Sequence, residues 1–175
     1  MENALELTGV TKSFGAVRAV DDLHLTIPRG MMCGVIGPSG AGKTTAIRMI
    51  MSILFPDAGQ LTVLGNTSAL RAKNRIGYLP EERGVYRKMK VGAFLHYLGQ
   101  LKGVPFDQAQ ARASSLLGRL GLGDIEKKKL EDMSKGMLQR VQFVGAIINQ
   151  PDLIILDEPF SGLDPVSVQI GRAHV

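Results

Sequence analysis

Gly37-Pro38-Ser39-Gly40-Ala41-Gly42-Lys43-Thr44-Thr45 follows the pattern Gly-x-x-x-x-Gly-Lys-Thr of a phosphate-binding P-loop. Residues 31–36 before it read Met-Met-Cys-Gly-Val-Ile, a short apolar run that predicts a buried strand. Residues 44–52 after it place Ile47, Ile50 and Met51 on one helical face. The context is therefore strand, loop, helix, as the motif requires. Gly37, Gly40 and Gly42 lack a Cβ, so the chain can wrap closely around a phosphate. Backbone N–H groups then form an anion nest, reinforced by the positive end of the helix dipole. Lys43 is placed to reach the β- and γ-phosphates, and Thr44 to offer its hydroxyl to Mg²⁺.

Composition sets wide bounds around this loop. The chain has 175 residues, enough for one domain with a real core, and is 45% hydrophobic and 21% charged, a globular balance. A formal net charge of +5 suits an anionic ligand or a membrane-facing surface without choosing between them. The basic residues are scattered apart from Lys127-Lys128-Lys129, read as a solvated helix face, so there is no nucleic-acid stripe. Cys33 falls inside the apolar run and reads as a small buried hydrophobe, with no disulfide expected. No segment approaches about 20 apolar residues, and no basic-then-apolar leader opens the chain. These features predict a cytosolic protein.

Along the chain, residues 4–10 and 17–27 alternate as strands, with Phe14-Gly15 in the turn between them. Phe14 serves either as a staple between two strands or as a face on which adenine stacks. Residues 60–64 and 75–79 are further strands. From Val91 the period changes: Val91, Phe94, Leu95, Leu98 and Leu101 fall at helical spacing, and Gly103 ends that helix. Helices follow over 107–120, 125–133 and 137–149, so residues 91–150 form a helical block inserted in an α/β core. Leu153-Ile154-Ile155-Leu156 is a continuous apolar run, the pattern of a strand buried on both faces. It ends in Asp157-Glu158, at the strand tip where open α/β sheets place ligands. Asp157 is expected to hold Mg²⁺, and Glu158 to orient or deprotonate the water that attacks the γ-phosphate.

A P-loop, a helical insertion, Leu-Ile-Ile-Leu-Asp-Glu-Pro and then Ser161-Gly162-Leu163-Asp164 resemble the nucleotide-binding domain of ATP-binding cassette (ABC) transporters. The resemblance runs over about residues 4–168. It implies an α/β P-loop NTPase cassette with a β-rich N-terminal stretch, lacking the C-terminal part of the core sheet. The domain is expected over 1–169. Phe14 matches the family's adenine-stacking aromatic, and residues 37–45 its first Walker motif. Residues 153–158 match the second, with Glu158 as catalytic carboxylate beside Lys43. Asp164 falls in the loop that crosses the dimer interface. Residues 78–86 look most like drug-, sodium- and polysaccharide-type exporter ATPases, whose membrane subunit is a separate chain. The resemblance thus implies ATP and Mg²⁺ as ligands, a permease partner, a second ATP-binding subunit in a homodimer or heterodimer, no nucleic acid, and a place on the cytoplasmic face of the membrane. Other readings are a soluble ABC ATPase acting on ribosomes or DNA, and an inactive nucleotide-binding fragment.

This sequence departs from the family pattern in two places. Glu81 stands where the family has Gln; a carboxylate still serves Mg²⁺ or water there but adds negative charge. The signature Leu-Ser-Gly-Gly-Gln is Met133-Ser134-Lys135-Gly136-Met137 here. Ser134 and Gly136 keep the hydroxyl and the close backbone approach that the opposite subunit's γ-phosphate needs, and Ser134 also reads as a helix N-cap. None of His24, His96 and His174 fills the place of the family's switch histidine. Residues 170–175 match what a widely used sequencing adapter encodes, and are expected to be a non-native tail.

In the sheet that the resemblance implies, a later strand lies between residues 31–36 and Leu153–Leu156. Without it both runs keep unpaired backbone groups, each costing about 1–3 kcal/mol if buried, against a net domain stability of about 5–15 kcal/mol. The 175-residue chain is therefore expected to be marginal or insoluble, with little ATPase activity. Thermal unfolding and ATP turnover of the chain alone and with a homologous C-terminal continuation check this. A soluble, cooperative and fully active short form refutes it.

Overall fold

Pairing of backbone groups divides the chain more sharply than its hydrophobic pattern does. The computed structural model describes residues 2–81, 84 and 86–159. The expected dimer-interface loop with Asp164, and the tail, lie outside the described residues. Two compact units are present, residues 1–76 and 77–175, and each is taken by itself.

In the first unit, β1 (Asn3–Phe14) and β2 (Val17–Pro28) form an antiparallel hairpin. The opposite edge of β1 pairs antiparallel with β3 (Ala58–Val63), giving the order β2-β1-β3. Leu5 lies opposite Ile27 and Val63, and Leu7 opposite Leu25 and Leu61. That register stacks the buried Leu5, Leu7, Val10, Val20 and Val63 into a small core. Helix α1 (Lys43–Ile50) packs on β2 and β3, and buries Met49 and Ile50. The sequence expects Ile47, Ile50 and Met51 on that face; the helix stops at Ile50, and Met51 falls in the turn beyond it. A short helix α2 (Ala69–Ala72) follows, capped by Ser68, whose side chain accepts from the Leu70 N–H. Lys12 Nζ meets Asp57 Oδ1 at 2.7 Å and the Ser13 N–H donates to Asp57 Oδ2 at 2.8 Å. These two donors hold the Asp57 carboxyl below the usual carboxylate range.

Residues 31–36 correct the sequence reading. They form no strand, Met32 is 91% and Ile36 98% exposed, and Cys33 is exposed rather than buried. Apolar character does not make a strand without a ladder. Among the described residues no strand pairs with this run, so no ladder holds it extended.

The second unit is mainly helical. α3 (Val91–Leu101), α4 (Phe106–Arg119) and α5 (Lys135–Ile147) pack on one another around Val91, Leu95, Leu117, Val141, Val144 and Ile148. β4 (Ile76–Leu79) and β5 (Leu153–Leu156) make a two-stranded sheet. The expected strand at 153–156 is present, but not buried on both faces: Ile154 is 46% and Leu156 37% exposed. The helix expected over 125–133 is absent. That stretch is turns and one 3₁₀ turn, Leu130–Asp132. Its backbone instead serves the start of α3: the Val91 N–H donates to the Lys128 carbonyl and the Gly92 N–H to the Glu126 carbonyl, both at 2.9 Å. Lys127, Lys128 and Lys129 are solvated, on a turn rather than a helix. No helix among the described residues is long and apolar enough to cross a membrane.

Gly77 of β4 lies where α5 presses on the sheet: a Cβ there would overlap the Ala146 carbonyl oxygen and come within 3.0 Å of Pro151 Cγ. Backbone cannot give way as a flexible side chain does. Gly77→Ala is expected to destabilise the chain by about 1–3 kcal/mol. Urea unfolding reads this as a lower midpoint at unchanged slope; an unmoved midpoint refutes the packing.

Candidate functional site

The phosphate loop is built by two left-handed residues, Gly40 at φ 82° and Gly42 at φ 83°. At Gly42 the requirement is double, because a Cβ would also run into the Ala19 carbonyl oxygen of β2. The Ala41 N–H donates to the Pro38 carbonyl at 3.2 Å, closing the turn over Ser39. From Gly42 the chain enters α1, whose first turn is closed by the Ala46 N–H on the Gly42 carbonyl at 2.8 Å. No side chain caps this helix start. The first N–H groups of an α-helix have no acceptor within it, so Lys43, Thr44 and Thr45 place backbone donors at the loop. Lys43 Nζ folds back and donates to the Gly37 carbonyl at 2.7 Å and the Pro38 carbonyl at 2.9 Å. An ammonium clasped by the Gly37 and Pro38 carbonyls, in a loop that turns left-handed at Gly40 and Gly42 into a helix N-terminus, suits a phosphate in charge and shape. Phe14 lies in the same unit, at the end of β1. It is 49% exposed rather than enclosed between strands, with Lys12 Nζ 5.8 Å from its ring centroid.

The carboxylate set belongs to the second unit. The Asp157 N–H donates to the Leu79 carbonyl at 2.9 Å, so the C-terminal ends of β4 and β5 meet. Asp157 is 4% exposed. Glu158, at φ 49°, turns left-handed and exposes its side chain. Glu81, also exposed, follows β4 by two residues. The structure thus brings Asp157, Glu158 and Glu81 to one end of one sheet. Ser134 caps α5, its Oγ accepting from the Met137 N–H at 3.3 Å. Lys135 and Gly136 open α5 with ordinary helical backbone. The lysine therefore meets no conformation reserved for glycine.

One residue of this region escaped the sequence reading. Gln139 is 6% exposed on α5, and its Nε2 donates to the Pro159 carbonyl just beyond Glu158. The signal lay in Gln139 and Gln142, three apart and both buried on a helix otherwise packed by apolar residues.

Comparison with known proteins places these features. The family model described as ABC transporter matches residues 20–161. The uncharacterized ABC transporter ATP-binding protein YhaQ of Bacillus subtilis (strain 168) is 48% identical over 98% of this chain and 57% of its own length. The daunorubicin/doxorubicin resistance ATP-binding protein DrrA of Streptomyces peucetius is 37% identical over 94% of this chain and 51% of its own. Against these curated relatives the chain therefore spans little more than half their length. A solved structure of the ATP-binding subunit of an ABC transporter superposes with a TM-score of 0.83 at 28% identity, over 95% of this chain and 70% of that one.

Lys43→Ala removes the only ammonium within the loop. Its net effect is expected to be a loss of about 10- to 100-fold in ATP affinity, the range of a charged hydrogen bond. Titration of both proteins with nucleotide checks this, and equal dissociation constants refute the assignment of the loop.

Proposed function

The chain belongs to the ABC transporter family, and from that premise we propose that it binds and hydrolyses ATP as the energy-coupling subunit of an exporter. One observation carries the proposal: the left-handed loop at Gly40 and Gly42 with Lys43 held over it. In this reading residues 37–45 cradle the phosphates, with Pro38, Ser39 and Ala41 lending backbone, and Phe14 stacks on the adenine. Mg²⁺, when bound, screens the phosphate charge and polarises the γ-phosphoryl group. Thr44 and Asp157 are its proposed protein ligands, with Glu81 nearby as ligand or water holder. Glu158 orients the attacking water and takes its proton, a role worth about 10²–10⁴-fold in rate.

Ser134 and Gly136 serve the nucleotide of a second ATP-binding subunit, and Asp164 the interface between the two. A two-fold dimer follows, because each site then needs the signature of the other copy. Likeness to the daunorubicin/doxorubicin resistance protein DrrA, together with the sequence over 78–86, supports export through a separate permease on the cytoplasmic face of the membrane. Selectivity for cargo then resides in that permease.

The decisive experiment is Glu158→Gln, in the chain carried through to the length of its relatives. ATP is expected to bind as in the wild type while turnover falls about 10²-fold or more. The closed dimer is expected to accumulate with ATP, seen by size-exclusion chromatography. Wild-type turnover in this variant removes Glu158 from the chemistry.

A further inference from the structure

We propose that Gln139 is a positioning residue that fixes the direction of the Glu158 carboxylate; this rests on the role just given to Glu158. The Asp157–Glu158–Pro159 turn is held at both ends. In front, the Asp157 N–H is tied to the Leu79 carbonyl of β4 at 2.9 Å. Behind, the Pro159 carbonyl is tied by Gln139 Nε2. Between the two ties stands Glu158 at φ 49°. A residue with a Cβ holds that conformation only where its surroundings over-determine it. The front tie fixes the backbone before Glu158, and the rear tie fixes the carbonyl that follows it.

The rear tie is also rigidly mounted. Gln139 lies on the same side of α5 as Gln142 and Ala146, and Ala146 is pressed against Gly77 of β4. The opposite side of α5, through Val141 and Val144, is locked into the helical core. The amide therefore has a fixed origin and one short reach. Stability alone explains Gln139 poorly, because its other polar atom, Oε1, is buried without a hydrogen-bond partner. A methionine would fill the same volume with no unpaired Oε1, but it leaves the half-buried Pro159 carbonyl without its donor, a loss of at most about 1–3 kcal/mol. What the glutamine supplies and methionine cannot is the donor to Pro159.

Gln139→Met in the chain carried through to its relatives' length separates these roles. The expected result is a cooperative thermal transition with its midpoint only slightly below wild type, KM for ATP within about twofold, and kcat lower by about 10-fold, within the range a displaced catalytic group loses. Hydrogen exchange at the Asp157 and Glu158 amides is expected to quicken. Wild-type kcat with unchanged exchange overturns the proposal, as does a loss confined to KM. Should the methionine variant not fold, Gln139→Asn, which keeps the amide but falls one methylene short, decides on the same readouts. Failure of both to fold makes Gln139 a structural residue and overturns it. Should the wild type not hydrolyse ATP, or Glu158→Gln hydrolyse it normally, the reading of function fails instead. Exchange at Asp157 and Glu158 then decides alone whether Gln139 holds the turn.

Discussion

The first unit depends on a close approach between two backbones at Gly42. The carbonyl of Ala19 in β2 occupies the space where any other residue would carry its Cβ. The left-handed turn that glycine permits there ends the loop and starts α1 in one step. Because α1 starts there, its first turn and Lys43 directly follow the loop. Because β2 runs behind it, the same residue seats the helix on the sheet. One missing methyl group thus serves fold and site together, and a larger residue would disturb both.

Local patterns in the sequence were read correctly wherever the partners of a segment are near in the chain. The hairpin of β1 and β2 and the helices α3, α4 and α5 emerge within a few residues of the expected bounds. Their hydrogen bonds close over three or four residues, or across one tight turn, so period and turn chemistry decide them. The misreadings share a different cause. Residues 31–36 are as apolar as any strand, yet a strand exists only when another pairs with it. Residues 125–133 have helical spacing, yet their carbonyls serve the N–H groups that α3 leaves open at Val91 and Gly92. In both, a long-range demand on the backbone outranks the local pattern.

The site divides in the same way. The left-handed loop of residues 37–45 could be located because its glycines, lysine and threonine are contiguous. Asp157 and Glu158 were legible because they end an apolar run, and their meeting with the Glu81 end of β4 required only that β4 and β5 be neighbours. Lys135 stands in place of a signature glycine, which is possible only where the backbone avoids conformations reserved for glycine. It proves conformationally neutral, since the residue is simply the first of a helix. Gln139 was not legible, because its partner is a carbonyl 20 positions along the chain and a carbonyl leaves no mark in a sequence.

The clasp of Lys43 on its own loop bears on how quickly a ligand is captured. A free lysine side chain carries about 2 kcal/mol of rotamer entropy. Here both the terminal nitrogen and the chain leading to it are already confined by the carbonyls of Gly37 and Pro38. On the proposed reading of the loop, an arriving anion meets a side chain whose conformers are already narrowed. It exchanges acceptors with a poised ammonium instead of waiting for a mobile one to arrive. Preorganisation of this kind lowers the entropic penalty of association, and it does so in the fold before any ligand is bound.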